Sequence, residues 1–364
     1  MKTLVTADDS AIFDRDAWHR FMSGYFIRDC TIGFEDGRLG FLLYEETEDR
    51  PMEEGFQIRI LAIKLANPME TRFFSMSANG LGVGAQLCSA WAPQDAGFVG
   101  VGIGLEVYAY KPKVYKGRED DIPFEVRKLH PEAYSDFGAA VLKTARVGTT
   151  VFAVGGPLRL FERVGAQQWK EHADIPLPVD IGSADREVAL AAIGDSSFRD
   201  LAGLSVEDMY AVGDRGAVWR RQEGRWSRLP FPGSQRLNTV SVTPDGTVYV
   251  TDLRGSVWRG RDLAWELIVE ADNAMPYQDA AWFKGRLYCA NDSAGCFVLE
   301  DGAMVAAHRA KRDPMPVATA MHAHRLDVAP DGQRLLIAGM HGASMYDGKT
   351  WQRLFDGEPP VDRT

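Results

Sequence analysis

Apolar positions along this chain fall into short runs separated by turn residues, and the runs repeat at a fixed spacing. Three columns of large apolar side chains recur 39 residues apart in successive repeats. The columns are Tyr210, Tyr249 and Tyr288; Trp219, Trp258 and Phe297; and Trp226, Trp265 and Met304. A repeat of about this length is typical of β-propeller blades, each of which is one small sheet. The spacing therefore predicts a propeller.

Each repeat divides into four predicted antiparallel strands. The first strand of one unit covers residues 239–242 and ends in the turn Pro244-Asp245-Gly246, where Gly supplies the positive φ that tight hairpins need. Seven such units begin near residues 25, 78, 130, 195, 235, 275 and 319. We therefore predict an all-β fold, a β-propeller of four-stranded antiparallel blades. Seven blades fit the units best, and six are the alternative.

Residues 209–219, MYAVGDRGAVW, carry the clearest form of the repeat. This segment resembles the broad bacterial group of WD40-like and BNR-like propellers, and the likeness extends over residues 25–357. The resemblance implies a fold and little about function. The Trp-Asp dipeptide of WD40 repeats and a complete Asp-box are both absent, so no site residue is carried over from either group.

The spacing also predicts the domain organisation. Residues 1–24 form an N-terminal segment, in which 1–5 are a candidate strand and 14–22 a candidate helical turn. Residues 25–357 form a single propeller domain, and residues 358–364 form a tail. Insertions lie near 113–135, 173–198 and 308–320. The second insertion contains SADREVALAAIG, which predicts a short helix capped by Ser183. The third is basic.

Charge and composition narrow the classes of partner. The formal net charge of −10 disfavours nucleic acid and anionic membrane surfaces, which need a cationic protein face. It is compatible with a basic protein partner. The first residues lack the apolar stretch of a secretory signal, and no run approaches the 18 apolar residues of a membrane-spanning helix. We expect a cytoplasmic protein.

Candidate chemistry is sparse. No Walker or Rossmann glycine loop occurs, and the column position of Cys296 predicts a buried, inert thiol. His322 and His324 lie two apart, so on an extended strand they share a face, with His341 in the same unit. These three side chains are the candidates for a metal or small-ligand sensor. The sequence predicts no catalytic residue and no cofactor.

One face of the predicted ring collects polar side chains. Connections from second to third strands, and from the last strand of a blade to the next blade, emerge on the same face around the channel mouth. The candidate binding residues there are Arg199, Asp214, Arg215, Arg236, Asp252, Arg254, Tyr277, Gln278, Asp292, His322, His324 and His341. Arg and Tyr are typical of the energetic centre of protein interfaces. Such a face also suits a small anionic ligand.

These patterns favour a non-enzymatic propeller that binds a protein. A specific form of this hypothesis is a bacterial immunity or accessory protein that neutralises a toxin made in the same cytoplasm. Two alternatives stay open. The first is a hydrolase or lyase that acts on a sugar or small anion at the channel mouth, and the second is the metal or small-ligand sensor.

Overall fold

A computed structural model describes residues 12–46, 56–124, 138–271 and 275–357. These residues form 28 strands arranged as seven separate four-stranded antiparallel sheets, so the alternative of six blades is wrong. Blades 1 to 3 comprise β1 (Tyr25–Ile32), β2 (Arg38–Glu45), β3 (Ile58–Lys64) and β4 (Phe73–Ser77); β5 (Gln86–Ala90), β6 (Gly97–Val101), β7 (Val107–Lys111) and β8 (Tyr115–Arg118); and β9 (Ala140–Val147), β10 (Thr150–Gly156), β11 (Arg159–Gly165) and β12 (Gln168–Glu171).

The remaining four blades contain the clearest 39-residue repeats. They comprise β13 (Phe198–Ser205), β14 (Asp208–Gly213), β15 (Ala217–Gln222) and β16 (Arg225–Leu229); β17 (Leu237–Val242), β18 (Val248–Asp252), β19 (Val257–Arg261) and β20 (Ala264–Val269); β21 (Asp279–Phe283), β22 (Arg286–Asn291), β23 (Gly295–Glu300) and β24 (Ala303–Ala306); and β25 (Arg325–Val328), β26 (Leu335–Ala338), β27 (Ala343–Tyr346) and β28 (Trp351–Phe355). The described residues also form four α-helices: α1 (Arg15–Phe21), α2 (Met69–Arg72), α3 (Arg186–Gly194) and α4 (Val317–His322).

The first strand of every blade lies at the centre of the ring. Each first strand contacts the first strands of its two neighbours, and the series closes where β25 meets β1. The second strands are apolar on both faces because a neighbouring blade covers each side. In β10, for example, all seven residues are buried. Radial repetition of this kind leaves only short strand edges open to solvent.

The predicted turns form as the residues require. Gly246 and Gly332 have φ values of 83° and 64°, a region that costs glycine little. The Asp245 carboxylate accepts the backbone N–H of Thr247, and the Asp331 carboxylate accepts that of Gln333. These turns fix the hairpin between the first and second strands of blades 5 and 7.

The ring is closed by the N-terminal segment. Each described sheet is built from four consecutive strands, so the first and last blades meet without exchanging a strand. Helix α1 fills the gap between them, and the predicted helical turn at residues 14–22 is confirmed. Asp14 accepts the N–H of Ala17 as the N-cap. Phe13, Trp18 and Phe21 are buried in one cluster that includes residues of both blades.

One prediction about the insertions and one about the histidines are wrong. Helix α3 is capped by Asp185, which accepts the N–H groups of Glu187 and Val188, while Ser183 accepts only the N–H of Asp185. The third insertion contains a helix, α4, that ends at His322. His322 and His324 therefore do not share a face of one strand. The candidate strand at residues 1–5 lies outside the described residues.

Candidate functional site: the channel and its upper face

The upper face is defined here as the face that carries the connections from second to third strands and from each blade to the next. At its centre, the first strands of blades 1, 3, 4 and 5 each contain a bulge, where the register skips Arg28, Leu142, Arg199 and Asn238. A bulge bends a strand and re-aims a side chain. The same irregularity therefore occurs at four points around the channel mouth.

Below the mouth, charged side chains meet across the channel. Lys143 of blade 3 reaches Asp279 of blade 6, with 2.9 Å between Nζ and Oδ1. Arg146, also of blade 3, reaches Asp327 of blade 7 at 2.7 Å and donates to the Val328 carbonyl oxygen. Since these pairs join non-adjacent blades, their side chains cross the channel below the mouth.

The carboxylates of this network also hold neighbouring blades together. Each accepts a backbone N–H from the first strand of the next blade. The donor and acceptor pairs are Leu87 to Asp29 at 2.7 Å, Val240 to Asp200 at 2.9 Å, Leu326 to Asp279 at 2.9 Å and Ile32 to Asp327 at 2.6 Å. Hydrogen bonds to a charged group are about twice as strong as neutral ones. The network therefore stabilises the contacts between adjacent blades.

Burial shifts the acidity of this network. Desolvation raises the pKa of Asp200 to about 6 against the opposing charge of Lys143, with Asp279 adding to the rise. Desolvation also raises the pKa of Asp29, although Arg325 and Lys143 oppose it. Burial favours the neutral amine of Lys143, but Asp279, Asp200 and Asp29 outweigh it and raise its pKa. The lysine consequently stays charged inside the ring.

Two predicted arginines lie close together at the mouth. Arg199 forms a two-point ion pair with Asp214, with distances of 3.0 and 3.1 Å, and its side chain is 28% exposed. Arg236 donates to the Asn238 side chain at 2.9 Å. Partial burial, followed by the charge of Arg199, lowers the pKa of Arg236. Arg236 has no ion pair with any described residue, so its charge is available to a partner.

Gln278 and Asp292 lie at the mouth on blade 6, next to the blade that Arg236 precedes. The Gln278 side-chain oxygen accepts the N–H of Asp292, whose carboxylate lies 3.1 Å from Arg325. His324 is buried beside them, and burial followed by the charge of Arg325 lowers its pKa to about 4. The imidazole is neutral at pH 7. Its Nε2 is buried and has no hydrogen-bond partner among the described residues, so this nitrogen brings neither a charge nor a paired donor to the mouth.

The other predicted residues have local roles or lie further out. Asp252 accepts the N–H groups of Arg254 and Ser256 and thereby shapes its own turn. Tyr277 is buried against Phe297. Arg215 is exposed and pairs with Asp195 at 2.8 Å.

His341 lies away from the mouth, at the ring closure. It lines a cleft of about 740 Å³ whose walls include Ile337, Phe355 and Glu46, and its Nδ1 is 3.5 Å from that glutamate. His324 is instead buried beside the mouth, and the His322 side chain is not described. Within the described ranges, no group of three or more His, Cys, Asp or Glu residues is placed to hold a metal.

A further feature of the upper face was missed in the sequence. Fourteen large apolar side chains are exposed among the described residues, and nine of them lie on upper-face connections. These nine are Val83, Ile103, Val179, Val188, Leu190, Leu253, Val317, Met321 and Met340. An apolar residue in a connection carries no periodic signal, so only the fold shows that these residues share a face. Clustered exposed apolar side chains mark interaction surfaces.

Comparison with known proteins identifies one curated relative. Over 150 residues the chain is 27% identical to the immune protein Tsi7 of Pseudomonas aeruginosa, an alignment that covers 41% of this chain and 46% of that protein. The chain thus spans about half the length of the curated relative it matches. No family model matches the sequence. None of the described helices combines the length and apolar character needed to cross a bilayer.

Solved structures resemble the chain at the level of fold. YCF48 from Cyanidioschyzon merolae has a TM-score of 0.56 and 10% identity, and the match covers 89% of this chain and 96% of YCF48. The β-propeller domain of the Trilobed protease from Pyrococcus furiosus has a TM-score of 0.51 and 8% identity, covering 94% of this chain and 99% of that domain. Together with the seven blades, these matches establish the propeller fold.

Proposed function

We propose that this chain is an immunity protein, a propeller that binds and neutralises a protein toxin present in the same compartment. Its similarity to an immune protein supports this proposal, and so does the distribution of side chains on the upper face. The similarity covers part of each chain, so the neutralising activity is inferred for this protein rather than transferred from its relative.

The observation that carries the proposal is the shape and chemistry of the upper face. The ion pairs of Lys143 and Arg146 cross the channel, which favours a broad surface contact over a ligand held deep in a channel. Around the mouth, Arg236 has no ion pair with a described residue, and nine exposed apolar side chains lie on the upper-face connections. Arginine and apolar anchors surrounded by polar residues are typical of protein interfaces.

The same arrangement explains how such a protein neutralises its target. A rigid ring presents preformed connections, so little conformational entropy is lost when the partner binds. Four carboxylates, three of them buried, link adjacent blades and hold the first strands in place. Tight binding over a preformed face blocks the toxin sterically and requires no chemistry from the propeller itself.

Co-expression tests the proposal. An immunity protein must be made whenever its toxin is made, so the product of the gene adjacent to this chain's gene is the probe. We expect the wild-type chain to restore growth of cells expressing the probe and to form a stoichiometric complex with it in size-exclusion chromatography. Growth arrest that persists despite co-expression, with no complex, would refute the proposal.

A site variant sharpens this test. Arg236→Ala removes a mouth charge that no described residue pairs, so we expect unchanged stability and about tenfold or greater loss of affinity for the probe. Arg225→Ala is the control, because Arg225 is exposed on the outer strand β16. If the two variants bind the probe with equal affinity, the mouth is not part of the interface. Titration calorimetry measures both.

A further inference from the structure

The insertion at residues 173–198 folds into a small lobe on the upper face. It contains a 3-10 turn at Val179–Gly182 followed by α3. A minor apolar cluster joins these two elements, in which buried Ile181 and Ala192 contact Phe124 from the preceding insertion. Asp185 fixes the start of the helix by accepting two backbone N–H groups. The lobe is therefore an ordered platform rather than a loose connection.

Helix α3 is oriented against the usual rule for an amphipathic surface helix. Its fully buried residues are the small Ala189 and Ala192, and Ile193 is partly buried beside them, whereas Val188 and Leu190 are 41% and 46% exposed. On the adjacent turn, Val179 is 96% exposed. A surface helix normally turns its larger apolar side chains toward the core. Folding gains little from this arrangement, so the exposed side chains call for another explanation.

The lobe is also strongly acidic. Residues 173–198 contain five carboxylates and one arginine, which gives −4 of the chain's net −10. The carboxylates are Asp174, Asp180, Asp185, Glu187 and Asp195. Neither Asp180 nor Glu187 forms an ion pair with another described residue. Exposed apolar anchors next in sequence to two carboxylates without an ion pair form a surface that complements a positively charged apolar patch.

We propose that this lobe, comprising residues 173–198, is a docking element for a basic protein surface, with Val188 and Leu190 as its apolar anchors. The inference rests on the proposed function, because it assigns part of the toxin contact to the lobe and a chemical character to the partner. Charge complementarity selects the occupant. A second copy of this chain would set two surfaces of net −4 against each other, and nucleic acid would be repelled as well.

Two double variants separate the apolar and electrostatic contributions. Val188→Ser with Leu190→Ser removes the anchors, and we expect the Kd for the purified product of the adjacent gene to rise about 30-fold. Asp180→Lys with Glu187→Lys reverses the charge, and we expect association to slow about tenfold. Because all four side chains are exposed, the melting temperature should stay within a few degrees of the wild type.

A matched control lies on the opposite face. Val164 and Leu204 are 46% and 43% exposed, close to the values of the anchors, and both stand near turns between first and second or third and fourth strands. The double substitution Val164→Ser with Leu204→Ser removes the same amount of apolar surface away from the lobe. We expect its Kd to remain within twofold of the wild type.

The outcomes distinguish this inference from the proposed function. If the wild type protects cells and the anchor variant binds as tightly as the wild type, the lobe is not the docking element, although the immunity proposal stands. If the wild type neither binds nor protects, both fail. Analytical ultracentrifugation tests for a second copy as the occupant. If this chain forms a dimer that the anchor substitutions dissociate, the inference is overturned.

Discussion

At the scale of single residues, the centre of the ring depends on charges that are expensive to bury. Lys143 faces three carboxylates, those of Asp279, Asp200 and Asp29, whose charges raise its pKa. Removing one partner of a buried pair leaves an uncompensated charge, which typically costs about 3–5 kcal/mol. Hydrogen bonds offset part of this cost, because each carboxylate also accepts a backbone N–H from the next blade. These bonds fix the position of neighbouring blades relative to each other.

The acidity of Asp200 gives a prediction about pH. Its folded-state pKa of about 6 lies above the value of about 3.9 in an unfolded chain. The folded state therefore binds more protons between these values, and the contribution of Asp200 to stability falls as pH rises from about 4 to 6. We expect the free energy of unfolding of Asp200→Asn, taken relative to that of the wild type, to increase by about 2 kcal/mol as pH rises from 4 to 7. Urea unfolding across that range measures it.

The control for this experiment is Asp245→Asn. Hydrogen bonds from Thr243 and Thr247 lower the pKa of Asp245, so its contribution to stability is present above the unfolded pKa and is lost as pH falls. The pH dependence of this variant relative to wild type should thus have the opposite sign. A difference between Asp200→Asn and wild type that does not vary with pH would contradict a raised pKa at Asp200.

At the scale of elements, the strands and two of the four α-helices could be predicted from the sequence, and the short helices α2 and α4 could not. The 39-residue columns predict strands because their side chains pack between blades: Tyr210 packs with residues of blade 5 and Trp219 with residues of blade 3. Helix α4 has only six residues and no side-chain cap, so no local signal marks it. It forms because buried Ala320 packs into the gap between blades 6 and 7.

The candidate site was predictable only in part, for a related reason. Arg199 and Arg236 stand at the starts of first strands, a position that the repeat reveals. The contact between Lys143 and Asp279 joins residues 136 positions apart. The residues that flank either side chain in the sequence give no indication of this contact. Ring closure by α1 depends in the same way on packing between the two ends of the chain.

The contribution of helix α1 to ring closure can be tested at Trp18. Trp18 is buried between the first and last blades, with its ring 5.6 Å from Phe13 and 6.2 Å from Phe355. Trp18→Ala should lower the free energy of unfolding by about 3–5 kcal/mol and speed amide exchange in β1 and β28. The partly exposed Trp265 is the control, since Trp265→Ala leaves the closure intact. Exchange rates unchanged in both strands would show that α1 does not seal the ring.

At the scale of the whole molecule, the negative charge and the binding face work together. A net charge of −10 generates a long-range field that attracts a cationic partner before any contact forms. The lobe at residues 173–198 concentrates that field on the upper face, where exposed apolar side chains complete the contact. Encounter and tight binding are then served by different groups, so they respond differently to salt.

Association and dissociation rates measured with the adjacent gene's product test whether charge controls the encounter and apolar contacts control the stability of the complex. Raising ionic strength shortens the Debye length from about 10 Å at 0.1 M to about 3 Å at 1 M, so steering should weaken. We expect the association rate to fall about ten- to hundredfold over this range while the dissociation rate changes little, because the apolar contacts are not screened. The variant with Asp180→Lys and Glu187→Lys is four charge units less negative and should show a shallower slope in stopped-flow measurements. An association rate independent of salt would mean that apolar contacts alone bring the two proteins together and that the acidity of the chain has no part in recognition.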